Sequence, residues 1–147
     1  MKCFARSCIL SVSLIAPLTY AAAPDPALLG CWRAVKIVLY VEDGSKAEDT
    51  SGRCVLQFKD DQFDSTCKTS SGTATTSYQY QVVRPNFYAA KMTGSTFRTD
   101  LIGSTREYEY RIEGDRLVTS TAPQAKVLVP AAAAPRVETE ATKTPCP

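Results

Sequence analysis

Histidine is absent from all 147 residues. That removes the commonest general base and the commonest metal ligand, since imidazole alone among side chains ordinarily titrates near neutral pH. Also missing is any stretch with apolar residues at helical spacing. No block of like charges survives once the first residues are set aside. Lys2 and Arg6 account for the whole net charge of +2, so the remaining chain is neutral. Neutrality without a basic run gives no electrostatic footing for nucleic acid or an anionic membrane. The run Cys8 to Leu18 is too short and interrupted for an integral membrane span. Catalytic inventory is equally thin. Asp60, Asp61 and Asp64 lack the ligand spacing of calcium loops, and Glu107 and Glu109 alternate with Arg111 as an outward charge ladder. No spacing marks a Ser–Lys pair. These absences point away from an enzyme, a metal centre or any cofactor.

What is present begins with an export signal. "MKCFARSCILSVSLIAPLTYAAA" carries basic residues, an apolar stretch and then small residues, the order of a secretory leader. Thr19-Tyr20-Ala21 offers a cleavage site, so residues 1–21 are read as a leader and the protein as periplasmic or secreted. A second reading exists, because "LLGC", Leu28 to Cys31, is similar to a bacterial lipobox that would anchor Cys31 to lipid. Pro24, Asp25 and Pro26 separate it from the apolar stretch, and lipidation of Cys31 would leave an odd cysteine.

Without the leader four cysteines remain: Cys31, Cys54, Cys67 and Cys146. Their pairing is legible in "GRCVLQFKDDQFDSTCK". About a two-residue Asp60-Asp61 loop, Lys59 faces Gln62, Phe58 faces Phe63, Leu56 faces Ser65 and Cys54 faces Cys67. Side chains alternate along a strand, so Phe58, Leu56 and Cys54 share one face with Phe63, Ser65 and Cys67. The 54:67 pair falls on the close, non-hydrogen-bonded type, whose Cα separation suits a disulfide. An oxidising compartment makes Cys54–Cys67 and, by elimination, Cys31–Cys146 the expected bridges.

Between glycines the chain favours β-branched and aromatic residues, as strands do. Expected strands are Cys31 to Val41, the two arms of the symmetric hairpin, Ser77 to Val83, Phe87 to Met92, Thr96 to Ile102, and the hairpin around Gly114-Asp115 that ends in Leu117 to Thr121. Glu42 to Gly52 and Lys68 to Thr76 read as long polar loops. The prediction is all-β: a single antiparallel up-and-down meander of about eight strands, over residues 28–121, closed into a small disulfide-stapled barrel. Closure removes the exposed edges, and eight strands leave an interior that side chains fill or one small ligand occupies. Residues 122–147 are rich in Ala, Pro and Thr, with "KVLV" alone able to pair; composition reads as a tail tied down by Cys146.

"LLGCWRAV", with Gly30-x-Trp32 opening the first strand, and the closing "YEYRIEGDRLV" resemble the bacterial lipocalin-like (calycin) β-barrels. The resemblance implies that Gly30 and Trp32 close one end of the barrel. Thr99-Asp100 stands where that family carries Thr-Asp-Tyr, with Leu101 replacing the Tyr. Arg111 and Arg116 are the candidates for the arginine that family lays against its Trp.

Two function classes follow. One is a non-enzymatic binding barrel for a small apolar or amphipathic molecule, lined by some of Leu56, Phe58, Phe63, Tyr78, Tyr80, Tyr108 and Tyr110. The other is a periplasmic inhibitor or immunity protein that blocks a partner protein through its loops. Packing alone would also explain the inward rings. An open interior favours the first class and a filled core with an exposed apolar loop patch the second.

Overall fold

The structure is a computed structural model, and it describes residues 23–41, 43–122 and 135–147. The expected leader, 1–21, and the "KVLV" segment, 126–129, lie outside the described residues. Among the described residues nine strands follow in order: β1 Gly30–Tyr40, β2 Lys46–Asp49, β3 Cys54–Phe58, β4 Gln62–Thr69, β5 Gly72–Arg84, β6 Phe87–Ser95, β7 Thr105–Glu113, β8 Arg116–Thr121 and β9 Arg136–Thr144. Each pairs antiparallel with its neighbour, and β1 pairs with β9 to close the sheet. Eight strands make the barrel, and β2 is the extra one. Along the edge of β1 away from β9, β3 takes Gly30 to Arg33 and β2 takes Ile37 to Tyr40.

The symmetric hairpin has the expected register, with Cys54 opposite Cys67 and Phe58 opposite Phe63. Lys59 N–H donates to the Gln62 carbonyl across the two-residue loop at 2.8 Å. Both disulfides are formed: Cys54–Cys67, with Cα atoms 4.0 Å apart, and Cys31–Cys146, at 5.1 Å.

Three expectations need correction. Eight barrel strands were expected and eight are found, but one is a different segment. Thr96 to Ile102 is no strand. The Ser95 hydroxyl accepts from the Phe97 and Arg98 amides, Arg98 holds Asp100 through two nitrogens, and Thr99–Leu101 winds into a 3-10 turn. Such side-chain acceptors satisfy backbone donors without a sheet partner.

The missing strand is β9, inside the segment read from composition as a tail. Residues 122–147 are therefore not all appended to the barrel, because Arg136–Thr144 closes it. Glu138 and Glu140 alternate with Val137, Thr139 and Ala141. Thr139 and Ala141 are buried, and these inward residues are small, so the strand has the period of a barrel wall without its hydrophobicity. Finally, the long polar loops are mostly paired. Lys46–Asp49 is β2, and β4 turns into β5 with Thr69 opposite Gly72. Threonines and serines there satisfy the ladder as well as apolar residues would.

Candidate functional site

The barrel interior divides into a filled half and a hollow half. The filled half is where β1 begins. Leu28 and Trp32 are essentially inaccessible, and the Trp32 indole N–H donates to the Leu28 carbonyl at 2.8 Å. Lys143, cross-strand from Trp32, sets its ammonium 4.2 Å from the indole ring centroid and also bonds the Leu29 carbonyl. The cation on the tryptophan is thus Lys143, and neither Arg111 nor Arg116 has that place. Arg116 pairs with Glu140 at 2.9 Å, and Arg111 lies with Glu109 on the outer wall, one residue out of phase with buried Tyr110. Gly30 is required by the same arrangement: its φ is +105°, and a Cβ there would come within 3.1 Å of the Lys143 nitrogen.

Above this plug sits an aromatic cluster. Phe58 and Phe63 stack at 4.8 Å between centroids, and Tyr80 meets Phe58 edge-on at 5.5 Å. Tyr88 is at the centre, touching Phe58, Phe63, Tyr80, Tyr108 and Tyr110. It was absent from the expected lining, although Lys91 outward places Tyr88, Ala90 and Met92 inward on the same strand. Two hydroxyls here are satisfied by the protein itself: Tyr80 donates to the Lys59 carbonyl at 2.6 Å and Tyr110 to the Asp25 carboxylate at 2.8 Å. Burial, with Asp60, Asp25 and Asp61 nearby, pushes the Tyr80 phenol up to about 12. Burial raises Tyr110 as well, reinforced by the bond to Asp25.

The hollow half lies toward the end of β1 and the start of β7. A cavity of about 140 Å³ opens there. Tyr78 and Tyr108 form part of its wall with Ala90, Met92, Arg106 and Val137, and Leu39, Phe97 and Leu101 flank its mouth. Ala90 is opposite Arg106 in the β6–β7 ladder, and Tyr88 opposite Tyr108. The space exists because a small residue follows a large one up the wall. Tyr78 stacks on Phe63 at 4.4 Å, and Tyr108 on Tyr88 at 5.2 Å. Burial lifts both phenols above their ordinary value, with the Arg106 charge opposing the rise, so both are neutral hydroxyls at physiological pH. Neither hydroxyl has a hydrogen-bond partner among the described residues.

Of the seven expected lining residues, Tyr78 and Tyr108 face the cavity. Phe58, Phe63, Tyr80 and Tyr110 pack into the filled core, and Leu56 packs against it. Arg106 was missed because its neighbours in "TREYEY" read as an outward charge ladder. Its place in the period, two before Tyr108, was the available signal.

A larger concavity, about 410 Å³, lies on the outer wall beside Val38 and Val118. Acids and bases interleave there: Lys36 pairs with Glu48 at 3.4 Å, and Glu138 accepts from Tyr40 at 3.0 Å. No cluster of acids or cysteines suited to a metal ion occurs among the described residues. No helix among them is long and apolar enough to cross a membrane.

No protein-family model matches the sequence, and no curated protein matches it. Solved structures do. A lipocalin-like protein from Bacteroides uniformis superposes with a TM-score of 0.52 at 10% identity, covering 80% of this chain and 99% of that one. An uncharacterized protein from Bacteroides eggerthii gives 0.49 at 10% identity, over 79% and 98%. A de novo designed fluorescence-activating β-barrel gives 0.43 at 13% identity, over 80% and 94%. The first of these likenesses is one of fold: this chain has the lipocalin-like barrel.

Proposed function

We propose that the protein is a non-enzymatic, exported binding barrel that holds a small amphipathic molecule at its open end. One observation carries this reading. In the filled half Tyr80 and Tyr110 have their hydroxyls bonded within the protein, whereas Tyr78 and Tyr108, without such a bond among the described residues, line an otherwise largely apolar cavity. No buried side-chain oxygen or nitrogen among the described residues lacks a partner, so the Tyr78 and Tyr108 hydroxyls keep access to the opening, where water or a ligand's polar end can meet them. Export is supported by the leader-like residues 1–21 and by two disulfides, which persist in oxidising compartments. Cys31, bonded to Cys146, is not available for lipid attachment.

Native mass spectrometry of the protein purified from its own cell envelope tests the reading. A small molecule should travel with the folded barrel and be lost from Ala90→Leu, which fills the cavity. A bare barrel that also fails to bind an environment-sensitive apolar dye would overturn it.

The reading of the chain as an inhibitor that blocks a partner protein is favoured by one feature, Phe97, which is 63% exposed beside the open mouth. On that reading Phe97→Ala would abolish inhibition of the partner and leave dye binding unchanged.

A further inference from the structure

Closing a sheet into a barrel removes its edges, yet this chain keeps one. β3 pairs with β1 as far as Arg33, and β2 takes the same side of β1 from Ile37 to Tyr40. β2 therefore has β1 on one side and no strand on the other among the described residues. Lys46, Ala47 and Glu48 are exposed. An open edge presents unpaired N–H and C=O groups, and charges of one sign would blunt it. Here the charges have both signs, two positions apart.

The backbone decides which residues offer the open groups. The Val41 N–H donates to the Ser45 carbonyl at 2.9 Å, so these two form a hydrogen-bonded pair. Bonded and non-bonded pairs alternate along an antiparallel ladder. Leu39–Ala47 and Ile37–Asp49 are then bonded, and Tyr40–Lys46 and Val38–Glu48 are not. The N–H and C=O groups of Lys46 and Glu48 consequently point away from β1. A strand added to this edge must pair its own outward-bonding residues with those two.

A second copy of β2 meets that condition about a twofold axis, the same patch serving both partners. With Ala47 opposite Ala47, Lys46 of each copy faces Glu48 of the other. Those are the bonded positions, so the register gives Lys46 and Glu48 both a backbone partner and a charge partner. Neighbouring registers that keep the bonding pattern set Lys46 against Lys46 or Glu48 against Glu48. At the centre, the methyl of Ala47 suits the close non-bonded spacing of about 4.5 Å between Cα atoms. The same register lines up Leu39, Ala47, Ala47 and Leu39 as one apolar row, and Leu39 is otherwise 37% exposed. Lys46 makes no ion pair among the described residues, and Glu48, 3.4 Å from Lys36, would stand between two ammonium groups.

We propose that the free edge of β2 is a contact between two copies of this chain, paired antiparallel through Lys46 and Glu48. Few residues take part, which puts the dimer in the weak, concentration-dependent class.

Sedimentation velocity on the protein purified from its cell envelope, over a series reaching about 1 mM, should show a monomer–dimer equilibrium. Glu48→Lys and Lys46→Glu each turn two attractive pairs into repulsive ones, so each should weaken the dimer by about tenfold. Mixing those two variants makes every opposed pair attractive again and should restore dimers, as mixed pairs in native mass spectrometry. Glu48→Pro removes an outward N–H and spares the ladder to β1, so it should abolish the dimer and leave the unfolding temperature nearly unchanged. Hydrogen exchange at the Lys46 and Glu48 amides should slow as concentration rises, while the Ala47 and Asp49 amides, already bonded to β1, should not respond. A wild type that stays monomeric across the series would overturn the proposal and leave the edge to a strand of another protein. A dimer indifferent to Glu48→Pro and to both charge reversals would overturn it as well, by placing the contact on a different face.

Discussion

The two ends of this barrel use the same residue type in opposite ways. At the closed end, Tyr110 and Tyr80 reach Asp25 and the Lys59 carbonyl, and Leu28, Trp32 and Lys143 complete a plug in which aromatic face, indole N–H and ammonium all have partners. At the open end, Tyr78 and Tyr108 stack on the same cluster from above, yet their hydroxyls reach no acceptor among the described residues, and Ala90 leaves room beside them. Tyrosine in a core is accordingly not one signal. Its meaning depends on where the oxygen ends, about a ring's length beyond the face the sequence pattern assigns.

The comparison can be broken at the closed end first. Replacing Cys31 and Cys146 together by Ser releases a bridge that spans 115 positions. Chain entropy puts such a loop at about 4–5 kcal/mol, against about 3 kcal/mol for the short Cys54–Cys67 loop. Urea unfolding should rank the two double variants in that order; the reverse ranking would mean that β9 is held by pairing alone. Next comes Trp32→Ala, expected to cost about 3–5 kcal/mol through the void left at the plug. A loss below about 1 kcal/mol by thermal or urea denaturation would show that the indole does not hold that end shut.

Tyr110→Phe is smaller and more specific. It removes a bond to a carboxylate, an interaction worth about 1.5–3 kcal/mol, and should lower the urea midpoint without moving ligand or dye binding. Tyr108→Phe is the smallest. Its hydroxyl has no partner among the described residues to lose, so stability should shift by less than about 0.5 kcal/mol, the range of substitutions that break no contact. Dye or ligand binding should fall at the same time. If Tyr108→Phe were as destabilising as Tyr110→Phe, the difference between the two ends would disappear.

Much of the wall was legible because strand pairing has a simple grammar. The positions of Cys54, Phe58, Phe63 and Cys67 about Asp60-Asp61 dictated a register that the structure reproduces. The alternation of Tyr108 and Tyr110 with Glu107, Glu109 and Arg111 assigned inward and outward faces. β9 was not legible from composition, because its inward positions are Thr139 and Ala141 and the hydrophobic signal of a wall is missing there. The partner of Trp32 was sought among arginines, whereas Lys143 arrives from that unread strand. Arg106 was hidden because an arginine between Thr105 and Glu107 reads as a surface residue until a register places it opposite buried Ala90.

From its sequence alone this protein was committed to an antiparallel, disulfide-stapled β-barrel without histidine chemistry, since period-two alternation, turn residues and cysteine parity are local and survive without coordinates. Only the tertiary structure decided which segment closes the barrel, which tyrosines are satisfied and where space remains. Those outcomes depend on how side chains from strands far apart in sequence fill one shared volume. No single strand's pattern contains the sum.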